Sequence, residues 1–179
     1  MKLHDFPSPF EDPVDALLGF HRRIERQLAA LAKLQYDLEV DGVDAQVSAA
    51  AAGVLDFFSH SLALHHADEE DLLPLFEMRV AGASERGGIG DLRHRLESEH
   101  REIERAWRGL RRPLEGLAEG MQRRLPDDLV AYFRALHAVH ISGEESGLHL
   151  SAARLLLPAD RAALGRGMAA RRTRRFRSH

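Results

Sequence analysis

Apolar residues recur at spacings of three, four and seven along almost the whole chain, and this helical period is the strongest constraint on the fold. No stretch alternates apolar and polar residues with the period of two that strands show, and valine and isoleucine are scarce. The periodic segments cover about residues 12–40, 44–80, 90–117 and 125–157. Four long helices with short connections predict an all-α fold, an antiparallel four-helix up-and-down bundle.

Helix-start and helix-stop residues indicate where these segments begin and end. Asp12 followed by Pro13 is typical of a helix N-terminus, because aspartate caps free amide groups and proline fits the first helical position. Pro74 lies inside the second segment and should kink that helix or end it near Leu73. The glycine-rich stretch 81–90 is predicted to be a loop between antiparallel helices.

These signals divide the chain into three parts. Residues 1–11 form an N-terminal lead segment, 12–157 form the bundle, and 158–179 form a short extra C-terminal helix with an arginine-rich tail. A length of 179 residues suits one domain with a sizeable core.

Composition narrows the class of protein. A hydrophobic fraction of 44% with 30% charged residues excludes a wholly disordered chain. No apolar run approaches the roughly 20 residues of a membrane-spanning helix, so we expect no membrane association. The N-terminus has no apolar signal core, and the absence of cysteine excludes disulfides and thiolate metal sites. We therefore expect a cytoplasmic protein.

Charge is distributed unevenly along the chain. Residues 161–179 contain seven arginines and no acidic residue, whereas residues 1–160 contain 18 basic and 28 acidic side chains. An acidic body argues against a nucleic-acid-binding core, and we expect no nucleic-acid partner. The arginine-rich end has two interpretations, a site for nucleic acid or anionic lipid, and a helix end lying near the acidic body.

Histidine and glutamate interrupt the apolar stripe of the second segment in phase with it. The stripe would run through positions 55, 58, 62, 72 and 76, and His65 and Glu69 fill its gap. Residues four apart on a helix lie about 40° apart and about 6 Å along the axis, so both side chains reach one point in the core.

The fourth segment repeats this pattern with His140 and Glu144 on a face shared with Phe133, Leu136 and Leu148. The first and third segments each bring one histidine to the core face, between apolar neighbours. All four predicted helices therefore contribute a histidine, and two contribute a glutamate. The six candidate metal ligands are His21, His65, Glu69, His100, His140 and Glu144.

Buried carboxylates require a compensating positive charge, because an ionised carboxylate in an apolar interior is heavily penalised. Neither lysine nor arginine lies on these stripes. Imidazole and carboxylate together suit iron, manganese, zinc or copper. Six protein ligands fit two ions, with bridging carboxylates and open positions, better than they fit one. The residues thus predict a dinuclear centre.

The order and spacing of these residues resemble hemerythrin and the hemerythrin-like HHE cation-binding domains. The local segments that carry the resemblance include GFHRRIE, HHADEEDLLPLF, LESEHREIERAW and HISGEESGLHL, and together they cover about residues 12–157. The resemblance implies a non-heme centre with two iron ions that binds or senses dioxygen, nitric oxide or a redox change. It implies that the four histidines are terminal ligands and that Glu69 and Glu144 bridge the ions.

The chain departs from the oxygen-carrying members of this family in its third helix. Those proteins have a second histidine one turn from the first, where this chain has Leu96, and leucine cannot bind a metal. This weakens the case for reversible oxygen carriage. Glu104, four residues after His100, or water is the candidate for the missing position.

Helix phase leaves alternatives open at several positions. His66 and Glu70 form the alternative register to His65 and Glu69 near Pro74, and Glu145 is the alternative to Glu144. His137 lies one turn before His140 and would extend the site. Zinc or manganese would also suit these ligands.

A binding or sensing protein is the preferred functional interpretation, with O2 or NO as the small ligand. The alternatives are a di-iron oxidase, peroxidase or NO-processing enzyme and a metal-responsive regulatory or interaction module. No separate general acid, nucleophile or substrate-binding motif favours the enzyme, and the sequence identifies no protein partner.

Overall fold

The computed structural model describes residues 12–40 and 42–176, and every regular element within those ranges is an α-helix. The predicted lead segment 1–11, Asp41 and the last three residues lie outside the described residues. The described helices are α1 (Pro13–Val40), α2 (Ala45–Glu70), α3 (Leu72–Arg79), α4 (Ala83–Ala118), α5 (Asp127–Ser146), α6 (Leu148–Leu155) and α7 (Pro158–Phe176).

Aspartate caps define the first two helix starts, as the sequence predicts for α1. The Oδ1 atom of Asp12 accepts hydrogen bonds from the backbone N–H groups of Val14 at 2.9 Å and Asp15 at 3.3 Å. Asp44 does the same for α2 by accepting from the N–H of Val47 at 2.7 Å. Each carboxylate satisfies amide groups that have no partner inside the helix.

The second predicted helix ends earlier than expected. α2 stops at Glu70, and α3 begins at Leu72, so the break is at Asp71 rather than near Leu73. Proline clashes with the carbonyl group four residues before it, and for Pro74 that carbonyl belongs to Glu70. α2 therefore ends at Glu70, because Pro74 prevents the carbonyl of Glu70 from accepting a helical hydrogen bond.

The fourth predicted helix is also interrupted, although the sequence predicts one helix to Leu157. α5 ends at Ser146, and Gly147 has a φ of −119°, which is well below the usual helical value of about −63°. Its N–H donates to the carbonyl of Glu144 at 3.2 Å, a tighter turn than the α-helix makes. Glycine is the residue that helices tolerate least apart from proline, which favours a break here.

The glycine-rich stretch 81–90 is not a loop, contrary to prediction. α4 begins at Ala83 and includes Gly87, Gly88 and Gly90. Each glycine costs a helix about 1 kcal/mol relative to alanine. Ile89 is buried within this stretch and continues the apolar stripe toward the core of α4, so packing outweighs the low helix propensity.

The chain forms two compact units. The first comprises residues 12–20, 64–94 and 143–176, and the second comprises 21–40, 42–63 and 95–142. In chain order, α1 and α4 lead from the first unit to the second, and α2 and α5 lead back. All described regular elements are helices, and the predicted all-α bundle is confirmed.

Each unit has its own apolar core. In the second unit the rings of Phe58, Trp107 and Phe133 pack together with centroids 5.0–5.9 Å apart. In the first unit α3, α6 and α7 supply many of the buried apolar side chains. They include Leu72, Leu73, Phe76, Leu148, Ala152, Leu164 and Met168.

One stretch of the described chain, Ala45–Arg79, is long and apolar enough to cross a membrane by length and composition alone. The sequence analysis predicts no apolar run of that length, so this finding differs from the prediction. This is weak evidence for a membrane span because core helices pass the same test. The stretch also contains a helix break at Asp71 and buried histidines.

Candidate metal centre

Burial of the six predicted ligands agrees with their assignment to the core stripes. His100 is the most exposed of them at 6%, and the other five side chains have no exposed surface. The glutamate registers also follow the prediction, because Glu69 and Glu144 are buried whereas Glu70 and Glu145 are exposed. Neighbouring helical residues point about 100° apart, so one member of each pair faces inward.

The C-terminal end of α2 supplies three candidate ligands in the first unit. His65 Nε2 lies 2.6 Å from Glu69 Oε1, as expected for residues four apart on one helix. The ring of Phe20 stacks on His65 with centroids 4.3 Å apart and an interplanar angle of 25°. His66 is also buried, and its ring centroid lies 6.1 Å from that of His65. Two adjacent histidines therefore face the interior here.

Two candidate ligands of the second unit meet where α4 and α5 pack together. The rings of His100 and His140 lie edge to face with centroids 5.0 Å apart. His140 Nδ1 lies 2.9 Å from Oε2 of Glu99, which accepts the Nδ1–H bond. This carboxylate leaves the buried Nε2 of His140 as the ligand atom, the arrangement that orients metal-binding histidines in many proteins.

Candidate ligand atoms fall into two groups, and within each group all atoms lie within 4.8 Å of one another. Glu69 belongs to both groups, and Glu144 belongs to one. The first group is His66, Glu69, His100 and His140, and the second is His21, His65, Glu69 and Glu144.

The donor set of both groups fits metal ions. The first offers three imidazoles and one carboxylate, and the second offers two of each. Such nitrogen and oxygen donors suit iron, manganese, zinc or copper. Ionised carboxylates and clustered histidines in an interior are costly unless a cation compensates the charge and the imidazoles stay neutral. A bound metal cation meets both requirements.

The structure thus brings all six predicted residues together and adds His66. The sequence treats His66 as an alternative to His65, whereas the structure places both in the cluster, in different groups. Glu104, the predicted candidate for the missing third-helix position, is exposed and belongs to neither group.

His137, whose role the sequence leaves open, is buried and belongs to neither ligand group. Its Nδ1 donates to the carbonyl of Phe133 at 2.9 Å, and its ring packs 4.4 Å from the ring of Phe133 and 5.6 Å from that of Phe58. His137 is a core residue of the second unit, and it replaces the half-buried Leu136 on the inward face of α5.

Glu99 is the residue of the site that the sequence analysis missed. It is partly exposed and lies off the core stripe, so helix phase gives no signal for it. Its role depends on the contact between α4 and α5, and only a structure supplies that contact.

Comparison with known proteins identifies the family. The profile described as the hemerythrin HHE cation binding domain matches residues 12–149, which is most of the chain. Neither the search of curated proteins nor the search of solved structures found a match. The profile covers every residue of the two ligand groups, and family membership implies a metal-binding protein. The chain belongs to the hemerythrin HHE cation-binding domain family.

Proposed function

We propose that the protein holds two iron ions in the bundle and uses them to bind or sense a small diatomic ligand, O2 or NO. The observation that carries this proposal is the membership of Glu69 in both ligand groups. A carboxylate has two oxygen atoms, so one glutamate can serve two ions at once. Two ions that share a ligand form one centre.

The ligand assignment follows from the two groups. His66, His100 and His140 would hold one ion, and His21, His65 and Glu144 would hold the other, with Glu69 as the bridge. The family resemblance implies that both glutamates bridge. We assign Glu144 to one ion because it belongs to one group only.

The number of protein ligands supports a role in small-molecule binding. Four protein ligands would hold each ion when the shared glutamate is counted twice, which would leave room for an exogenous ligand. The bound iron would supply the electrons and the vacant position. The protein would orient the ligands, through contacts such as the one from Glu99 to His140, and would shield the centre from water.

Metal analysis combined with absorption spectroscopy tests this proposal. Protein prepared without oxygen and loaded with ferrous iron should hold two ions per chain. Exposure to air or NO should then produce new near-ultraviolet and visible absorption, because ferric and nitrosyl iron centres absorb there. Zinc in place of iron in freshly purified protein, or a spectrum unchanged by both gases, would contradict the proposal.

The same samples separate binding from catalysis. A binding or sensing protein should give a stoichiometric spectral change without sustained consumption of O2, peroxide or NO. Sustained turnover would instead support the alternative of a di-iron oxidase, peroxidase or NO-processing enzyme.

A further inference from the structure

Ion pairs at both ends of α7 connect it to the end of α2 and to α3. At one end α7 supplies an acidic residue, and at the other end it supplies basic residues. Near the start of α7, Asp160 accepts hydrogen bonds from the guanidinium of Arg79 at 2.9–3.1 Å. Eleven residues later Arg171 binds Asp68, which lies eleven residues before Arg79. The matching separations mean that α7 runs antiparallel to residues 68–79 in one defined register.

Asp68 is the most buried carboxylate in this set, with 1% of its surface exposed. It binds Arg171 through one oxygen and Arg172 through the other, the latter at 2.6 Å. Arg171 also binds the exposed Asp71 at 2.6 Å, at the break between α2 and α3. Two arginines of α7 therefore compensate the charge of a carboxylate that water does not reach.

The end of α2 needs this positive charge. Its last turn contains Asp68, Glu69 and Glu70 and no basic residue. Carboxylates at a helix C-terminus oppose the helix dipole, and cations there stabilise the helix. Asp71 follows this turn and joins it to α3, and the backbone N–H of Asp71 donates to the carbonyl of Ala67 at 3.3 Å.

Asp68 and Glu69 point about 100° apart on this turn, so one carboxylate faces α7 and the other faces the ligand cluster. A contact that fixes the direction of Asp68 therefore fixes the rotation of the turn. That rotation sets the directions of His65, His66 and Glu69, and Glu69 is the residue shared by both ligand groups.

We infer that Arg171 and Arg172 are positioning residues for the metal centre, which act through Asp68 to aim the ligands at the C-terminal end of α2. This inference rests on the proposed metal-binding function. Coupling between two sites is reciprocal, so metal binding should also favour the docked position of α7.

The test compares ferrous-iron affinity, measured without oxygen by competition with a chelator, in the full chain and its variants. The double variant Arg171→Gln/Arg172→Gln should bind iron at least about tenfold more weakly, the range seen when groups that orient metal ligands are lost. Arg171→Lys/Arg172→Lys keeps the charge and should recover part of the affinity. If the double variant does not fold, Arg172→Gln alone should show a smaller loss in the same direction.

Two control variants separate positioning from general stability. Arg166→Gln removes an exposed arginine of the same helix and should leave the iron affinity unchanged. Asp160→Asn loosens the other end of α7 and should lower the melting temperature of the metal-free protein with less than a threefold change in iron affinity.

The outcomes distinguish this inference from the proposed function. Wild-type iron affinity in a folded double variant, or an equal loss in Asp160→Asn, would overturn the positioning role alone. Failure of the wild-type protein to bind iron would overturn the metal centre itself and the positioning role with it.

Discussion

Glu99 and His140 show at the scale of single residues how a side chain outside the ligand stripe shapes the centre. The carboxylate accepts the Nδ1–H of His140 and so determines which ring nitrogen can bind a metal. Arg95, whose Nε lies 3.9 Å from Oε1 of Glu99, keeps positive charge close to this carboxylate. Because Glu99 is partly exposed, it connects a buried ligand to the surface of the bundle.

Replacing Glu99 with glutamine should weaken metal binding. The amide preserves shape but loses the negative charge that makes the imidazole of His140 a stronger ligand, so we expect an affinity loss of about tenfold. Chelator competition on iron-loaded protein measures it. Glu97→Gln is the matched control, since Glu97 lies on the same helix and pairs with Arg101 at 3.8 Å. Equal affinities for the two variants would contradict the role of Glu99.

The ligand stripe could be predicted from sequence because each candidate continues an apolar pattern that one helix defines. His66 could not be assigned together with His65, since a single helical phase admits one of two adjacent residues. Both belong to a ligand group, because the two groups draw residues from several helices. The sequence also could not predict that Glu144 belongs to one ligand group only, because this depends on distances between helices.

At the scale of elements, local chemistry explains which boundaries were predictable. Asp12 marks a helix start because its own side chain bonds the first amides of α1. The break at Asp71 depends on the carbonyl that Pro74 excludes one turn earlier. The helical conformation of 83–90 depends on the burial of Ile89, a tertiary contact that overrides glycine propensity.

α7 is longer than the short helix predicted and includes arginines assigned to the tail. Arg161, Arg171 and Arg172 bind acidic side chains of the first unit. These three arginines therefore lie against acidic side chains of the first unit, as one of the two interpretations of the arginine-rich end expects.

The contact between α3 and α7 should make stability depend on pH through Asp160. Hydrogen bonds from Arg79 and from the backbone of Leu157 lower the pKa of this carboxyl below its ordinary value of 3.8. The ionised form therefore stabilises the fold. This contribution is complete above pH 3.8 and is lost as the pH falls through the lower pKa of the folded state.

Asp160→Asn should consequently be less stable than wild type near neutral pH and should lose less stability between about pH 5 and pH 2. Urea unfolding at a series of pH values, with a chelator present throughout, measures both quantities. Asp91→Asn, at an exposed position on α4, is the control and should follow the wild-type curve. Parallel curves for wild type and Asp160→Asn would rule out this contribution.

At the scale of the whole molecule, the buried carboxylates make folding and metal binding interdependent. Glu69 and Glu144 lie in the interior among histidines, so the metal-free protein bears an electrostatic cost that bound cations remove. Metal binding should therefore contribute to the free energy of unfolding. Ion pairs between α7 and acidic side chains of the first unit add a second set of charge contacts.

Iron stoichiometry in four matched glutamate variants tests the central claim most directly. Wild type should hold two iron ions per chain. Glu69→Gln should lose both, because the residue belongs to both ligand groups, and Glu144→Gln should lose one. Glu70→Gln and Glu145→Gln change the exposed neighbours and should retain two. Full iron content in Glu69→Gln, or equal losses in Glu69→Gln and Glu70→Gln, would contradict a centre built around a shared, buried glutamate.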